Sequence, residues 1–375
     1  MVLTNAKIVL TNKVIERGYV VIFNRIIKEI GEGDYKGSLE SHDLNGLTLF
    51  PGFIDVHVHG SSGIDFMDAN KEDYKTISNS LYLEGVTTYL ATTLTASFES
   101  LKKVSETVAL AVKENPSLYG LHLEGPYISL KYKGAQNEQF IRDPNIDEFN
   151  ELNKVSNGNI RYISLAPEKD GAMEFIKYAV NKGVVISCGH SDASFSVVEE
   201  AIKNGLTNIT HTHNAMSPHH HRNPGVVTAA MYFDKLNCEC ICDRIHVCDD
   251  TLRMFYKIVG EDRFMIITDA LKIKNSNINE FELYGLQCER KNGAAYLKSG
   301  ALAGSLLTMN KGVKNMKEVC NLSLCELAKI SSLNAAKSLL LLDRGEIKEG
   351  KLADLVVMND NFDVIEVYKL GRRVK

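Results

Sequence analysis

The chain has 375 residues, 44% of them hydrophobic and 24% charged, with no Trp and only 7 Pro, a mixture that excludes intrinsic disorder, collagen-like repeats and a disulfide scaffold. Its net charge of −4 is spread along the chain, which leaves no electrostatic case for a nucleic-acid or anionic-membrane partner. No apolar run reaches the roughly 18 residues of a membrane span; no secretory signal is visible, and the 8 Cys read as reduced thiols, so a cytoplasmic setting is expected.

Short strands open the chain. AKIVL, GYVVIF and RIIKEIG are Val- and Ile-rich runs broken by turns at Thr11-Asn12 and Gly31-Glu32-Gly33. From about residue 50 to residue 345 strand and helix patterns alternate. The strand candidates are LFPGFIDVHVH, TTYLATTLT, YGLHLEGP, IRYISLAP, VVISCGH, TNITHTHN, CECICDRIHV and FMIITDA. Helical segments fall between most of them, one from Ser97 to Asn115 and another in SFSVVEEAIKNG, where Ser196 and Glu199 offer a capping box and Gly205 a left-handed stop. The closing runs, KLADLVVMND and DVIEVYKLGRRVK, again read as strands. This order predicts a parallel (β/α)₈ barrel over residues 49–345, with a small β-sandwich made jointly by residues 1–48 and 346–375. A doubly wound sheet suits the alternation too, but no G-x-G-x-x-G follows the first strand.

Ionisable residues gather at the ends of these strands. Asp55-Val56-His57-Val58-His59 places His57 and His59 on one strand face, because side chains alternate. The third strand ends His122-Leu123-Glu124, the fifth Cys188-Gly189-His190, the sixth His211-Thr212-His213 and the eighth Thr268-Asp269. Buried ionisable groups are costly unless paired or metal-bound, and at the C-terminal rim of a barrel such ends converge on one centre. Imidazoles and carboxylates without an obligatory thiol suit Zn, Fe, Co or Mn. A divalent ion of this kind makes hydroxide available near neutral pH; Asp269 is the natural carboxylate to carry the proton.

Taken in order, PGFIDVHVHG, HLEGPYIS, GHSDAS, THTHNAMSP, RNPG and ITDA resemble the amidohydrolase superfamily and, within it, the family of N-acetylglucosamine-6-phosphate deacetylases. The resemblance spans nearly the whole chain. It implies hydrolysis of the acetamide of a phosphosugar substrate, with Glu124, His190 and His211 holding the principal metal and Asp269 activating water and then protonating the departing amine. His57 and His59 allow a second ion, one or two per subunit, with Glu124 as the bridge. For the substrate it implies Asn214 and Ala215, Ala135 and Gln136, and the loop Leu302-Ala303-Gly304-Ser305. For its phosphate it implies Arg222 and, with Asp243 just before it, His246, supplied across the subunit boundary of a homodimer. Gln136 stands where many relatives have His, and its amide donates a hydrogen bond but carries no charge.

Other clusters read as structure. His219-His220-His221 fits a solvated loop, and Cys238, Cys240, Cys242 and Cys248 lack paired C-x-x-C spacing and fit free buried thiols. His122 is expected to orient a ligand, and His213 stands where relatives often carry an aromatic ring. Amidohydrolases of the dihydroorotase, hydantoinase and deaminase types compete with this reading, as does a barrel that has lost its chemistry. Glu124 in the bridging role argues against the first group, and the intact ligand set against the second.

Overall fold

The structure, a computed structural model, describes residues 1–375. It holds two sheets of eight strands, one built from both chain ends and one central.

In the terminal sheet Thr48–Pro51 pairs antiparallel with Leu355–Met358, so that Phe50 faces Val356 across the join between the two ends. On one side follow Val364–Lys369 and Arg372–Arg373; on the other follow Val2–Val9, Val14–Phe23 and Ile26–Glu32. A bridge between Ile26 and Leu352 brings the far edge back on itself. The sheet thereby closes over 14 buried residues drawn from both ends, among them Leu3, Ile8, Val20, Leu355 and Val357. Each such side chain contributes about 1.5–3 kcal/mol relative to exposure. The chain passes from this sheet to the barrel at Gly52.

The barrel strands are Phe53–Val58, Val86–Thr92, Leu118–Glu124, Ile160–Leu165, Val185–Cys188, Asn208–Ile209, Asn237–Ile241 and Phe264–Ile267, all parallel and in chain order. The first and last strands close it: the amide of Asp269 donates to His57 O at 2.8 Å and that of His59 to Ala270 O at 2.9 Å. Asp55 locks the seam by accepting the Thr268 hydroxyl at 2.6 Å. The expected (β/α)₈ barrel and the small β domain shared by the two ends are both present.

Three local expectations are corrected. Helix Phe195–Lys203 is capped by Ser194, whose hydroxyl accepts from Val197 N, and Ser196 lies inside the first turn, where it forms no capping box with Glu199. Only an extended residue can turn its side chain back on the orphan amides, and Ser194 has that backbone, with ψ 163. The sixth strand keeps only Asn208–Ile209, because left-handed turns at His211, His213 and Ala215 end the ladder.

The third correction follows the eighth strand. Glu280–Leu283, Leu286–Lys291, Ala294–Leu297 and Leu302–Ser305 form an antiparallel four-stranded sheet over the barrel mouth, so Leu302–Ser305 is a strand where a loop was expected. Its hairpins turn at Tyr284-Gly285 and Asn292-Gly293, where all four residues have positive φ, as type I′ turns require. No helix is long and apolar enough to cross a membrane.

Candidate active site

Five of the eight strand ends, the first, third, fifth, sixth and eighth, deliver one or two side chains to the barrel mouth, and at three of them the backbone is bent to do so. His190, His211 and Asp269 have φ of 49°, 29° and 47°, a region that costs an L-residue on the order of 1–2 kcal/mol. The bend takes each residue out of its ladder and turns the side chain toward the barrel axis.

The result is a buried centre in two halves that share Glu124. Glu124 Oε1 lies 3.2 Å from His190 Nε2, 3.1 Å from His211 Nε2 and 3.2 Å from His57 Nε2. Its other oxygen is 3.4 Å from His59 Nε2. Asp269 Oδ1 completes the second half, 3.1 Å from His59 Nε2 and 3.5 Å from His57 Nε2. The two triads, Glu124–His190–His211 and His57–His59–Asp269, each place one ligand atom per residue within 4.8 Å of the others.

This donor set fits a divalent cation and fits little else. The Nε2 atoms of His190 and His211 stand 3.1 Å apart, and His57 Nε2 is buried without a hydrogen-bond partner. Ligand atoms on a tetrahedral ion with bonds of about 2.0–2.1 Å lie roughly 3.3–3.4 Å from one another, close to the edges found here. Burial pushes the Glu124 carboxyl up, but the charge of His57 and the hydrogen bonds with His190 and His211 hold it well below the carboxylate range. Burial pulls His57 down, and the carboxylates of Glu124 and Asp269 override it to raise the ring well above its ordinary value.

The surroundings fix the ligands. Gln136 donates to Glu124 Oε2 at 2.6 Å and accepts from Thr95 N at 2.7 Å, so both ends of its amide are committed within the protein. His190 Nδ1 faces Tyr132 O at 2.9 Å. His122 contacts Val56 O at 3.0 Å and Ser164 Oγ at 2.8 Å, and packs edge-on against the His57 ring at 4.7 Å. Burial first, then the charge of His57, keeps His122 neutral, well below the ordinary imidazole range.

A cavity of about 330 Å³ opens onto the centre. His59, Glu124, His190, His211 and Asp269 form its base, and its walls include Ala135, Gln136, Asn214, Ala215, Leu302, Ala303 and Gly304. Ser305 lies outside the lining; its hydroxyl donates to Thr268 O. His246 lines this chain's own cavity. The turn after the seventh strand carries it over the rim, where Asp243 accepts from its Nδ1 at 2.6 Å and from its amide at 2.8 Å. Asp243 itself does not reach the cavity. Arg222 is exposed and lies in the adjoining cleft with Asp192, Ser194 and Asn223.

Two residues escaped sequence reasoning. Lys131 lines the cavity and pairs with Asp192 at 2.9 Å, one of many Lys with nothing in its neighbourhood to mark it. Glu239, wholly buried, accepts from His57 Nδ1 at 3.2 Å. The signal was a single acid inside CECIC, an otherwise apolar central strand. The thiols of Cys238, Cys240 and Cys242 are free, buried and part of the main core, as expected, whereas Cys248 is free but exposed.

Comparison with known proteins gives a consistent result. The amidohydrolase family profile matches residues 48–374. The chain is 36% identical to an N-acetylglucosamine-6-phosphate deacetylase of Lysinibacillus sphaericus, over 92% of this chain and 90% of that protein. The crystal structure of N-acetylglucosamine-6-phosphate deacetylase from Thermotoga maritima superposes with a TM-score of 0.92 at 34% identity, covering 100% of this chain and 99% of that one. A Mycobacterium smegmatis N-acetyl-D-glucosamine-6-phosphate deacetylase mutant in complex with N-acetyl-D-glucosamine-6-phosphate gives 0.95 at 29% identity, with 100% and 99% covered.

Proposed function

The chain belongs to the amidohydrolase family, and from that premise we propose that it hydrolyses the acetamide of N-acetylglucosamine 6-phosphate to glucosamine 6-phosphate and acetate. The observation that carries the reading is the meeting of Glu124, His190 and His211 at 3.1–3.2 Å under a cavity walled by Asn214, Ala215 and Leu302–Gly304. Glu124, His190 and His211 would hold one divalent ion, and His57, His59 and Asp269 would provide for a second. When bound, such an ion supplies Lewis acidity that polarises a carbonyl and lowers the pKa of water from near 16 to roughly 7. Imidazole and carboxylate donors suit Zn, Fe, Co or Mn alike.

The chain's own residues do the rest. Asp269 is the catalytic base: it takes a proton from the attacking water and returns it to the amine nitrogen as the C–N bond breaks. Its burial and its contact with His59 fix the carboxylate at the edge of the cavity. Burial pushes the Asp269 carboxyl up, but the charges of His57 and His59 hold it below its ordinary value. Gln136 keeps Glu124 in place, and Asn214, Ala215 and Leu302–Gly304 seat the sugar. His246, braced by Asp243, meets the phosphate, and Lys131 adds a positive charge at the rim.

Arg222 is a further phosphate contact; lying outside its own chain's cavity, it serves the neighbouring site of a homodimer. The phosphosugar carries charge and does not cross a bilayer, and this supports a cytoplasmic setting. Acetate release from the phosphosugar, with the unphosphorylated sugar as control and metal content measured on the same sample, tests the proposal. Release from the phosphosugar alone is expected; equal rates on both sugars would remove the phosphate assignment, and no release in metal-loaded protein would remove the activity. Arg222→Ala should raise KM about 10–100-fold for the phosphosugar only.

A further inference from the structure

We infer that Glu239 is a positioning residue that builds the His57–His59–Asp269 half of the centre and sets how tightly that half holds its ion relative to the other. The inference rests on the reading of the site as a divalent-metal centre. Glu239 sits in the seventh strand at 0% exposure, a burial that is costly for a carboxylate unless every lone pair is served. Its oxygens are served by three donors. The Tyr162 hydroxyl donates to Oε1, His57 Nδ1 lies 3.2 Å from Oε2, and the His211 amide approaches the same oxygen at 3.4 Å. No Lys or Arg reaches it, so the cation it answers to lies on the far side of the imidazole.

His57 is the deepest of the ligand candidates, absent from the cavity lining that holds His59, Glu124, His190, His211 and Asp269. With Nδ1–H given to Glu239, the lone pair of Nε2 is left facing Glu124 Oε1 at 3.2 Å and Asp269 Oδ1 at 3.5 Å. A carboxylate behind an imidazole fixes its tautomer and orientation and raises its basicity toward a metal. The two halves differ in this respect. In the other half the outer nitrogen of His190 meets only a neutral backbone carbonyl, Tyr132 O, and His211 Nδ1 has no partner. The His59 Nδ1 is likewise unpartnered, so the His57 half depends on one ionic support, and that support is Glu239. Because the same oxygen of Glu239 receives the His211 amide, it also holds the spacing between the two halves.

The experiment is metal binding and not turnover: ion content by elemental analysis and stepwise affinities by chelator competition with Zn²⁺ on wild type, Glu239→Gln, His57→Asn and the double variant. Glu239→Gln is expected to weaken the second ion about 10–100-fold and spare the first. The ion lost should be the one lost in His57→Asn, and in the His57→Asn background the substitution should have no further effect. Unchanged affinities in Glu239→Gln, equal weakening of both ions, or a full effect persisting without His57 would each overturn the inference, as would a wild type that never takes a second ion. If Glu239→Gln does not fold, Tyr162→Phe carries the test: it frees the other oxygen of Glu239 and should weaken the second ion by a smaller factor, and unchanged affinity there overturns the proposal. An inactive protein that still shows this binding pattern would count against the deacetylase reading and leave the role of Glu239 standing.

Discussion

Two clusters of buried charge lie at opposite ends of the same barrel, and they are built on opposite principles. At the N-terminal end of the strands, Lys369 donates to Asp354 Oδ2 at 2.7 Å and to Thr88 Oγ1 at 3.2 Å, Arg344 donates to the same threonine at 3.2 Å, and the Leu370 amide serves Asp354 Oδ1 at 2.9 Å. None of its side-chain nitrogens or oxygens is left without a partner. At the C-terminal end, buried ring nitrogens of His57, His59 and His211 have none, and three imidazole Nε2 atoms crowd one carboxylate oxygen. A satisfied cluster is an architectural joint, here tying the terminal sheet to the second barrel strand. A cluster with unspent lone pairs is waiting for something outside the protein. The difference separates structure from function without any appeal to the sequence motifs.

The largest expected effect tests the mouth. Asp269→Asn should lower kcat by about 10²–10⁴-fold while the ion at Glu124, His190 and His211 is retained; steady-state kinetics and elemental analysis on one preparation check both, and near-normal kcat would assign the proton transfer elsewhere. Next comes the joint. Lys369→Met leaves buried Asp354 with only the more distant Arg344, at 3.8 Å, to balance it and should cost about 3 kcal/mol in urea unfolding, while kcat/KM of the folded protein stays put. A fall in kcat/KM would blur the distinction drawn above.

A third test joins the two ends. Removing metal with a chelator should lower the unfolding free energy by about 2.7 kcal/mol relative to protein held at a hundred times Kd. That increment should be the same in Lys369→Met, since the two clusters share no partners. The smallest effect concerns His213, at the mouth yet packed against Phe255 at 4.7 Å. Burial lowers its pKa to about 4, whereas an unfolded His titrates near 6.5. The unfolded chain therefore binds the proton first, and the stability this neutral ring contributes is intact above pH 6.5 and lost as pH falls toward 4. His213→Phe should remove that loss, up to about 2 kcal/mol at pH 5, in unfolding curves taken at pH 5 and 7.5.

The ligand set was legible in the sequence because strand alternation turns H-x-H and HLE into shared faces, and because a barrel brings successive strand ends to one place. Glu239 was not, since its partner His57 stands 182 residues earlier and only strand register brings them together. Arg222 shows the converse: a residue close in sequence to His211 that the fold carries into another cleft. The four-stranded sheet over the mouth was hidden because EFEL, LQCERK and AAYL are short and partly polar; turn chemistry at Tyr284-Gly285 and Asn292-Gly293 was its one local mark.

That sheet is hydrogen-bonded to the backbone of Asp269 through its last strand. The Ser305 amide donates to Asp269 O at 2.9 Å and Ser305 O accepts from Leu271 N at 3.1 Å, while the tip at Tyr284-Gly285 is held elsewhere, Tyr284 O accepting from Asn137 Nδ2 at 3.3 Å. Insertions at the tips can therefore lengthen the canopy and alter which sugars it admits without disturbing the acid, whereas a one-residue slip at Ser305 would drag the acid with it. Substrate range in this scaffold can diversify from the fringe inward, with the chemistry anchored at the hem.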